Sequence, residues 1–201
     1  MPIRVVAGEA KGRRLKTPKT TGTRPIIDRV KTALFDILSV RVEDARFLDL
    51  FAGTGSVGIE ALSRGAASAT FIELNAAALK LVRENLQITG LADRAETVHA
   101  DAFKFLQAHT VDTEGNSARF AGPRQYDIIY VAPPQYKGMA ARALALLDKS
   151  SLIPDTGLVI VQIHPKERPE LAAVPFARLA LVDERRYGST LLMFYEVNTV
   201  N

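Results

Sequence analysis

Residues 47–58, Phe47-Leu48-Asp49-Leu50-Phe51-Ala52-Gly53-Thr54-Gly55-Ser56-Val57-Gly58, lead an apolar run directly into a glycine loop. A near-continuous apolar run suits a strand buried on both faces, as strands of parallel sheets are. The G-x-G-x-x-G spacing that follows lets the backbone turn tightly into a helix and lets a ligand approach main-chain atoms. A chain built around this unit is committed to layered α/β architecture.

The rest of the sequence repeats the alternation. Strand candidates are Arg46–Phe51, Ala69–Glu73, Ala95–His99, Asp127–Val131 and Gly157–Ile163. Helical candidates between them are Val57–Arg64, Ala76–Thr89, Ala102–Gln107 and Met139–Leu147. A further helical period starts near residue 26, with Ile27, Val30, Leu34, Phe35 and Leu38 spaced by three and four. Strands alternating with helices predict βαβ units and a parallel sheet. The tail departs from this, because Ala177–Arg185 and Thr190–Val197 are joined only by Arg186-Tyr187-Gly188-Ser189. Four residues leave no room for a crossover helix, so the last strand is expected to run antiparallel. His109–Gln125 is polar and reads as a surface loop.

Composition narrows the function classes. The 201 residues contain no cysteine, which removes disulfides, thiolate metal sites and cysteine nucleophiles. No apolar run approaches the ~18 residues of a membrane helix, and the opening nonapeptide lacks a signal-peptide core. The expectation is a cytoplasmic protein without a membrane partner. His99, His109 and His164 are scattered without ligand spacing, so no metal site is expected.

Charge is unevenly spread. Residues 1–31 carry Arg4, Lys11, Arg13, Arg14, Lys16, Lys19, Arg24, Arg29 and Lys31 against Glu9 and Asp28, a net of +7, while the remaining 170 residues net −3. Gly8, Gly12, Pro18, Gly22 and Pro25 break any helix there. The segment therefore reads as a basic hairpin and loop able to lie along phosphates, and those nine cations are the candidate phosphate contacts.

The ligand of the glycine loop follows from its acidic neighbours. A dinucleotide sets its pyrophosphate beside such a loop, where the Asp49 carboxylate would repel it. S-adenosylmethionine carries a sulfonium and an ammonium instead of a phosphate. Glu73 ends the next strand, placed to accept from ribose hydroxyls. Asp101, followed by Ala102 and Phe103, adds an acceptor and an apolar wall, although it also has the position of a helix cap. The candidate cofactor residues are Asp49, Phe51, Ala52, Gly53, Thr54, Gly55, Gly58, Glu73, Leu74, Asp101, Ala102 and Phe103.

On these residues the chain resembles the bacterial 16S ribosomal RNA guanine-N2 methyltransferases of the RsmD type, within the class I S-adenosylmethionine-dependent methyltransferases. The resemblance is carried by residues 47–61, by Arg4-Val5-Val6-Ala7-Gly8 with Lys11-Gly12-Arg13-Arg14-Leu15, and by Arg24-Pro25 through Leu34-Phe35. Phe71-Ile72-Glu73 and Tyr187-Gly188 with Leu191 match as well. It implies a doubly wound, Rossmann-like seven-stranded sheet in the order 3-2-1-4-5-7-6 with strand 7 antiparallel. Residues 1–25 would be a basic RNA-contacting extension and residues 26–201 the methyltransferase domain. It also implies methylation of a guanine N2, with ribosomal RNA or a small-subunit assembly particle as partner and a monomeric enzyme.

The chain departs from the family at the reaction centre. The family pattern after the fourth strand is Asp/Asn-Pro-Pro-Tyr, and this chain has Ala132-Pro133-Pro134-Gln135-Tyr136. Ala132 keeps only a backbone carbonyl as acceptor. Gln135 offers an amide oxygen, and Tyr136 an aromatic face for an extruded base. Two other readings stay open: an amino-methyltransferase for another base or substrate, and a catalytically degenerate RNA-binding or assembly protein.

Overall fold

The computed structural model describes residues 3–18, 28–110 and 124–198. It contains helices α1 (Asp28–Leu38), α2 (Ser56–Ser63), α3 (Ala76–Thr89), α4 (Ala102–Gln107), α5 (Met139–Leu147) and α6 (Arg168–Ala172). The strands are β1 (Arg46–Asp49), β2 (Ser68–Glu73), β3 (Ala95–His99), β4 (Ile128–Val131), β5 (Leu158–Ile163), β6 (Leu179–Tyr187) and β7 (Thr190–Val197). The sheet order is β3-β2-β1-β4-β5-β7-β6. β7 runs antiparallel to both β5 and β6, so the predicted α/β architecture with its reversed last strand is present. The chain divides into two compact units, Met1–Ala100 and Asp101–Asn201.

In the first unit β1, β2 and β3 pair in parallel. Phe47, Leu48, Phe71 and Ile72 are fully buried, as both-face burial demands. α1 turns Val30, Leu34, Phe35 and Leu38 inward at the helical period. α3 starts where the Asn75 side chain accepts from Ala77 N and Ala78 N, and it stops at Gly90 in the left-handed region.

Residues 3–15 form a hairpin, closed by Val5 N donating to Arg13 O and Leu15 N donating to Ile3 O. It docks its apolar side, with Ile3, Val5, Ala10 and Leu15 buried. At Gly8 (φ +80°) a side chain would collide with the Ser63 carbonyl, so glycine permits the close approach. The Glu60 carboxylate accepts from Val6 N (2.8 Å) and Ala7 N (2.9 Å). It also pairs with Lys31 (3.2 Å) and Arg64 (2.9 Å). Burial holds the Lys31 ammonium below the usual lysine range, and Glu60 pulls it back up. Lys31 further donates to Arg4 O. With no exposed surface it has nothing to offer a phosphate, so its expected RNA contact is corrected to an internal anchor of the hairpin.

In the second unit β4 and β5 are parallel, and the buried runs Ile128–Val131 and Leu158–Val161 form its centre. The β6–β7 hairpin turns at Gly188-Ser189, with Tyr187 opposite Thr190. Asp148, buried at the end of α5, accepts from Ala177 N, Arg178 N and Leu179 N at 2.8 Å each and so fixes the entry to β6.

Candidate functional site

The glycine loop leaves β1 after Asp49 and turns through Gly53 (φ 55°) and Gly55 (φ 76°) before α2 begins. At Gly58 a Cβ would run into the Phe71 ring, so glycine lets α2 lie directly on β2. A Cβ at Gly53 meets nothing within 4 Å, so that side of the turn opens onto space a ligand can take.

Two carboxylates hold this loop. Glu73 Oε2 accepts from Gly53 N and Oε1 from Asn75 N, both at 2.8 Å. A carboxylate has about four acceptor positions, so each oxygen retains capacity for a ribose hydroxyl. Asp49 is buried and accepts from Gly58 N at 3.3 Å. Burial pushes its carboxyl up to about 7, the Gly58 hydrogen bond opposes this, and the nearby Glu73 charge adds to it. A buried carboxylate of this kind is best satisfied by a cationic group and disfavours a phosphate. The acceptor set therefore fits a ligand with an ammonium and vicinal hydroxyls.

Leu74, just past β2, is a large apolar side chain that remains 63% exposed. His99 holds the Leu74 carbonyl at 2.8 Å through its ring Nε2. Asn85 was missed in the sequence. Fully buried on α3, it donates to Thr54 O in the glycine loop (3.0 Å) and to Lys16 O (3.1 Å), and accepts from Lys16 N (2.7 Å). One amide thus joins the hairpin exit to the glycine loop. Its apolar-to-polar position in a helix pattern gives no local signal, since both partners are more than thirty residues away.

Of the other predicted residues in this unit, Ala52 is buried and donates to Ile72 O, and Phe51 is half-buried. Of the basic candidates, Arg4, Lys11, Arg13, Arg14, Lys16 and Arg29 are exposed. Arg4 pairs with Asp28 and Lys16 with Glu84, while Arg13 donates to Ile88 O. Lys19 and Arg24 lie outside the described residues.

In the second unit Asp101 caps α4, accepting from Lys104 N at 2.9 Å. Ala102 and Phe103 are buried behind it, and the Arg142 guanidinium lies 4.0 Å over the Phe103 ring. The Phe103 wall is therefore partly cationic on one face. After β4, Pro133 is buried, whereas Pro134, Gln135 and Tyr136 are exposed. Tyr136 is 60% exposed and sits at φ 61°, a left-handed conformation that a bulky residue rarely adopts. Its backbone N–H donates to Glu167 Oε1 at 2.9 Å, and its ring lies 5.2 Å from that of His164. Glu167 is not among the sequence candidates, and His164 enters there only as a histidine without ligand spacing. The legible signal was His164-Pro-Lys-Glu167, the spacing of a capping box.

Among the described residues no His, Asp and Glu cluster could hold a metal ion, and no helix is long and apolar enough to cross a membrane.

Comparison with known proteins extends these observations. The family model described as "Conserved hypothetical protein 95" matches residues 3–196. The chain is 36% identical over 194 residues to "Ribosomal RNA small subunit methyltransferase D" of Escherichia coli K12, covering 96% of this chain and 89% of that one. A solved chain described as "Putative methyltransferase yhhF from Escherichia coli" superposes with a TM-score of 0.79 at 31% identity, covering all of both chains. An RNA methyltransferase from Salinibacter ruber, solved in complex with S-adenosyl-L-homocysteine, shares the fold at a TM-score of 0.63 and 15% identity, covering 89% of this chain and 96% of that one.

Proposed function

We propose that this chain, which belongs to the Conserved hypothetical protein 95 family, transfers a methyl group to the exocyclic N2 of a guanine in small-subunit ribosomal RNA. The observation that carries this reading is the carboxylate-held glycine loop, Asp49 on Gly58 and Glu73 on Gly53, in a chain 36% identical to a ribosomal RNA small subunit methyltransferase. S-adenosylmethionine, when bound, supplies the electrophilic methyl group. Asp49 would face its cationic groups, Glu73 would accept from its ribose, and Leu74 would offer its adenine an apolar side chain.

The remaining work falls to Ala132–Tyr136. An exocyclic amine is a weak nucleophile because its lone pair is delocalised into the ring. Acceptors placed at its N–H groups favour a pyramidal nitrogen whose lone pair is available for in-line displacement. Ala132 and Pro133 offer carbonyls in directions that the prolines restrict. Gln135, exposed beside them, offers an amide oxygen. Tyr136 supplies the stacking face. The product loses its proton to water, so no strong base is required. The exposed cations of the hairpin, Arg4, Lys11, Arg13, Arg14 and Lys16 together with Arg29, neutralise RNA phosphates.

The test is nucleoside mass spectrometry of small-subunit RNA after incubation with the protein and labelled S-adenosylmethionine. One labelled N2-methylguanosine is expected. Label on adenine or cytosine overturns the base assignment, and RNA and cofactor binding without any transfer overturns the enzyme reading in favour of a binding scaffold.

A further inference from the structure

Glu167 is buried at 3% exposure, and its two oxygens serve two different backbone donors. Oε1 accepts from Tyr136 N at 2.9 Å, and Oε2 accepts from His164 N at 3.1 Å. A single carboxylate thereby fixes the main chain beneath two aromatic rings that are 28 positions apart in sequence. It is well matched to that task, because charge-assisted hydrogen bonds to backbone N–H are the stronger kind. The His164 side chain is fixed as well, its Nδ1 accepting from Lys166 N at 3.2 Å.

The result is an angled pair of rings. Their centroids are 5.2 Å apart and their planes meet at 44°. A gap that narrow does not admit a base between the rings, so a base can meet the tilted corner only from the side that solvent reaches. Tyr136 forms the more exposed wall and His164 the half-buried one. The strained left-handed backbone of Tyr136 persists only if something holds it, and Glu167 supplies the hold.

We infer that His164 is a second stacking surface for the extruded base, and that Glu167 is the positioning residue that locks His164 and Tyr136 into one corner. This deepens the proposed function and rests on its placing of the base at Tyr136. Sequence pattern alone does not reveal the pair, since a lone histidine after a strand is ordinarily a polar surface residue.

A short single-stranded RNA with one 2-aminopurine among uridines, added to the full chain, reports stacking directly through fluorescence quenching. The wild type is expected to quench it. His164→Ala should weaken binding about tenfold, the low end of what one stacked base contributes, and lose part of the quench. His164→Phe should restore both, because it returns the ring without the imidazole chemistry. Glu167→Gln replaces one acceptor with a donor facing an N–H, so it should lose the quench and shift the Tyr136 backbone amide resonance while melting stays cooperative. Equal quenching by wild type, His164→Ala and Glu167→Gln overturns the inference, as does His164→Phe behaving like His164→Ala. A wild type that quenches the probe but transfers no methyl to small-subunit RNA upholds the corner and overturns the transfer reading.

Discussion

The loop after β1 and the loop after β4 are held by opposite means. Residues 50–58 are set mainly by left-handed glycines, a helix pressed onto Phe71 and carboxylates at the ends of β1 and β2, with Asn85 on α3 adding one long-range bond to Thr54 O. Residues 132–136 contain no glycine, and three of them are exposed. Their described anchor is Glu167, 31 positions downstream of Tyr136. The first loop is a cradle whose turns are written into its own glycines and held from several sides. The second is a displayed aromatic whose geometry is borrowed. A methyl donor needs its position fixed, while a base arriving from a large RNA needs an accessible face, so the contrast follows the chemistry.

The largest effect should come from the frame under the first loop. Glu60→Ala leaves the fully buried Lys31 ammonium without its counter-charge and two hairpin N–H groups without their acceptor. Breaking a buried pair in this way costs about 3–5 kcal/mol, visible as a lowered urea midpoint. An unchanged midpoint would mean that the hairpin is held by its apolar side alone. Next, Gly58→Ala drives a methyl group into the Phe71 ring and should cost about 1–3 kcal/mol of stability along with cofactor affinity. A substitution of similar size at exposed Gln135 should leave stability untouched, and if both behave alike the contrast between the loops fails.

Much of this was legible in sequence, and for a physical reason. The β1 and β2 runs, the glycine spacing and the acidic strand ends are local patterns, and burial on both faces of a parallel sheet leaves the apolar runs little latitude. α3, α4 and α5 fall on the residues that periodicity predicted, because caps and apolar stripes are local too. What escaped were long-range polar bonds: Asn85 to Thr54, Asp148 to the start of β6, and Glu167 to Tyr136. Lys31 escaped in the other direction, counted as a surface cation although its helical position, one residue after Val30, rotates it toward Glu60. Charge composition counts residues without knowing which way they face.

Acidity should sharpen the contrast further. Asp49 titrates near 7 in the fold and near 3.8 when unfolded, so the native state binds the extra proton between those values. Its effect on the ligand-free chain is therefore stabilising as pH falls from about 7 toward 4, and that gain is lost as pH rises through 7. Cofactor affinity should move the opposite way, strengthening as pH rises through about 7 and Asp49 ionises. Calorimetry from pH 6 to 8.5 should show this slope in the wild type and a flat, weaker profile in Asp49→Asn, with a loss of roughly 1–3 kcal/mol at high pH. A wild-type profile without slope would remove Asp49 from the cofactor's cationic groups. The smallest effect concerns the exposed hairpin. Lys11→Ala with Arg14→Ala should reduce the salt dependence of RNA binding by about 0.7–0.9 in slope per lost phosphate contact and leave cofactor affinity alone. An unchanged slope would make those cations a solvated face.

The separation of roles between the two loops is tested most directly on Tyr136→Ala, by measuring tritiated methyl transfer to unmethylated small-subunit RNA beside S-adenosylmethionine affinity for the same preparation. A cradle independent of the displayed aromatic predicts turnover lowered roughly tenfold to a hundredfold, the worth of one stacked base, with cofactor affinity equal to wild type. Turnover equal to wild type, or a parallel loss of cofactor affinity, would contradict the account.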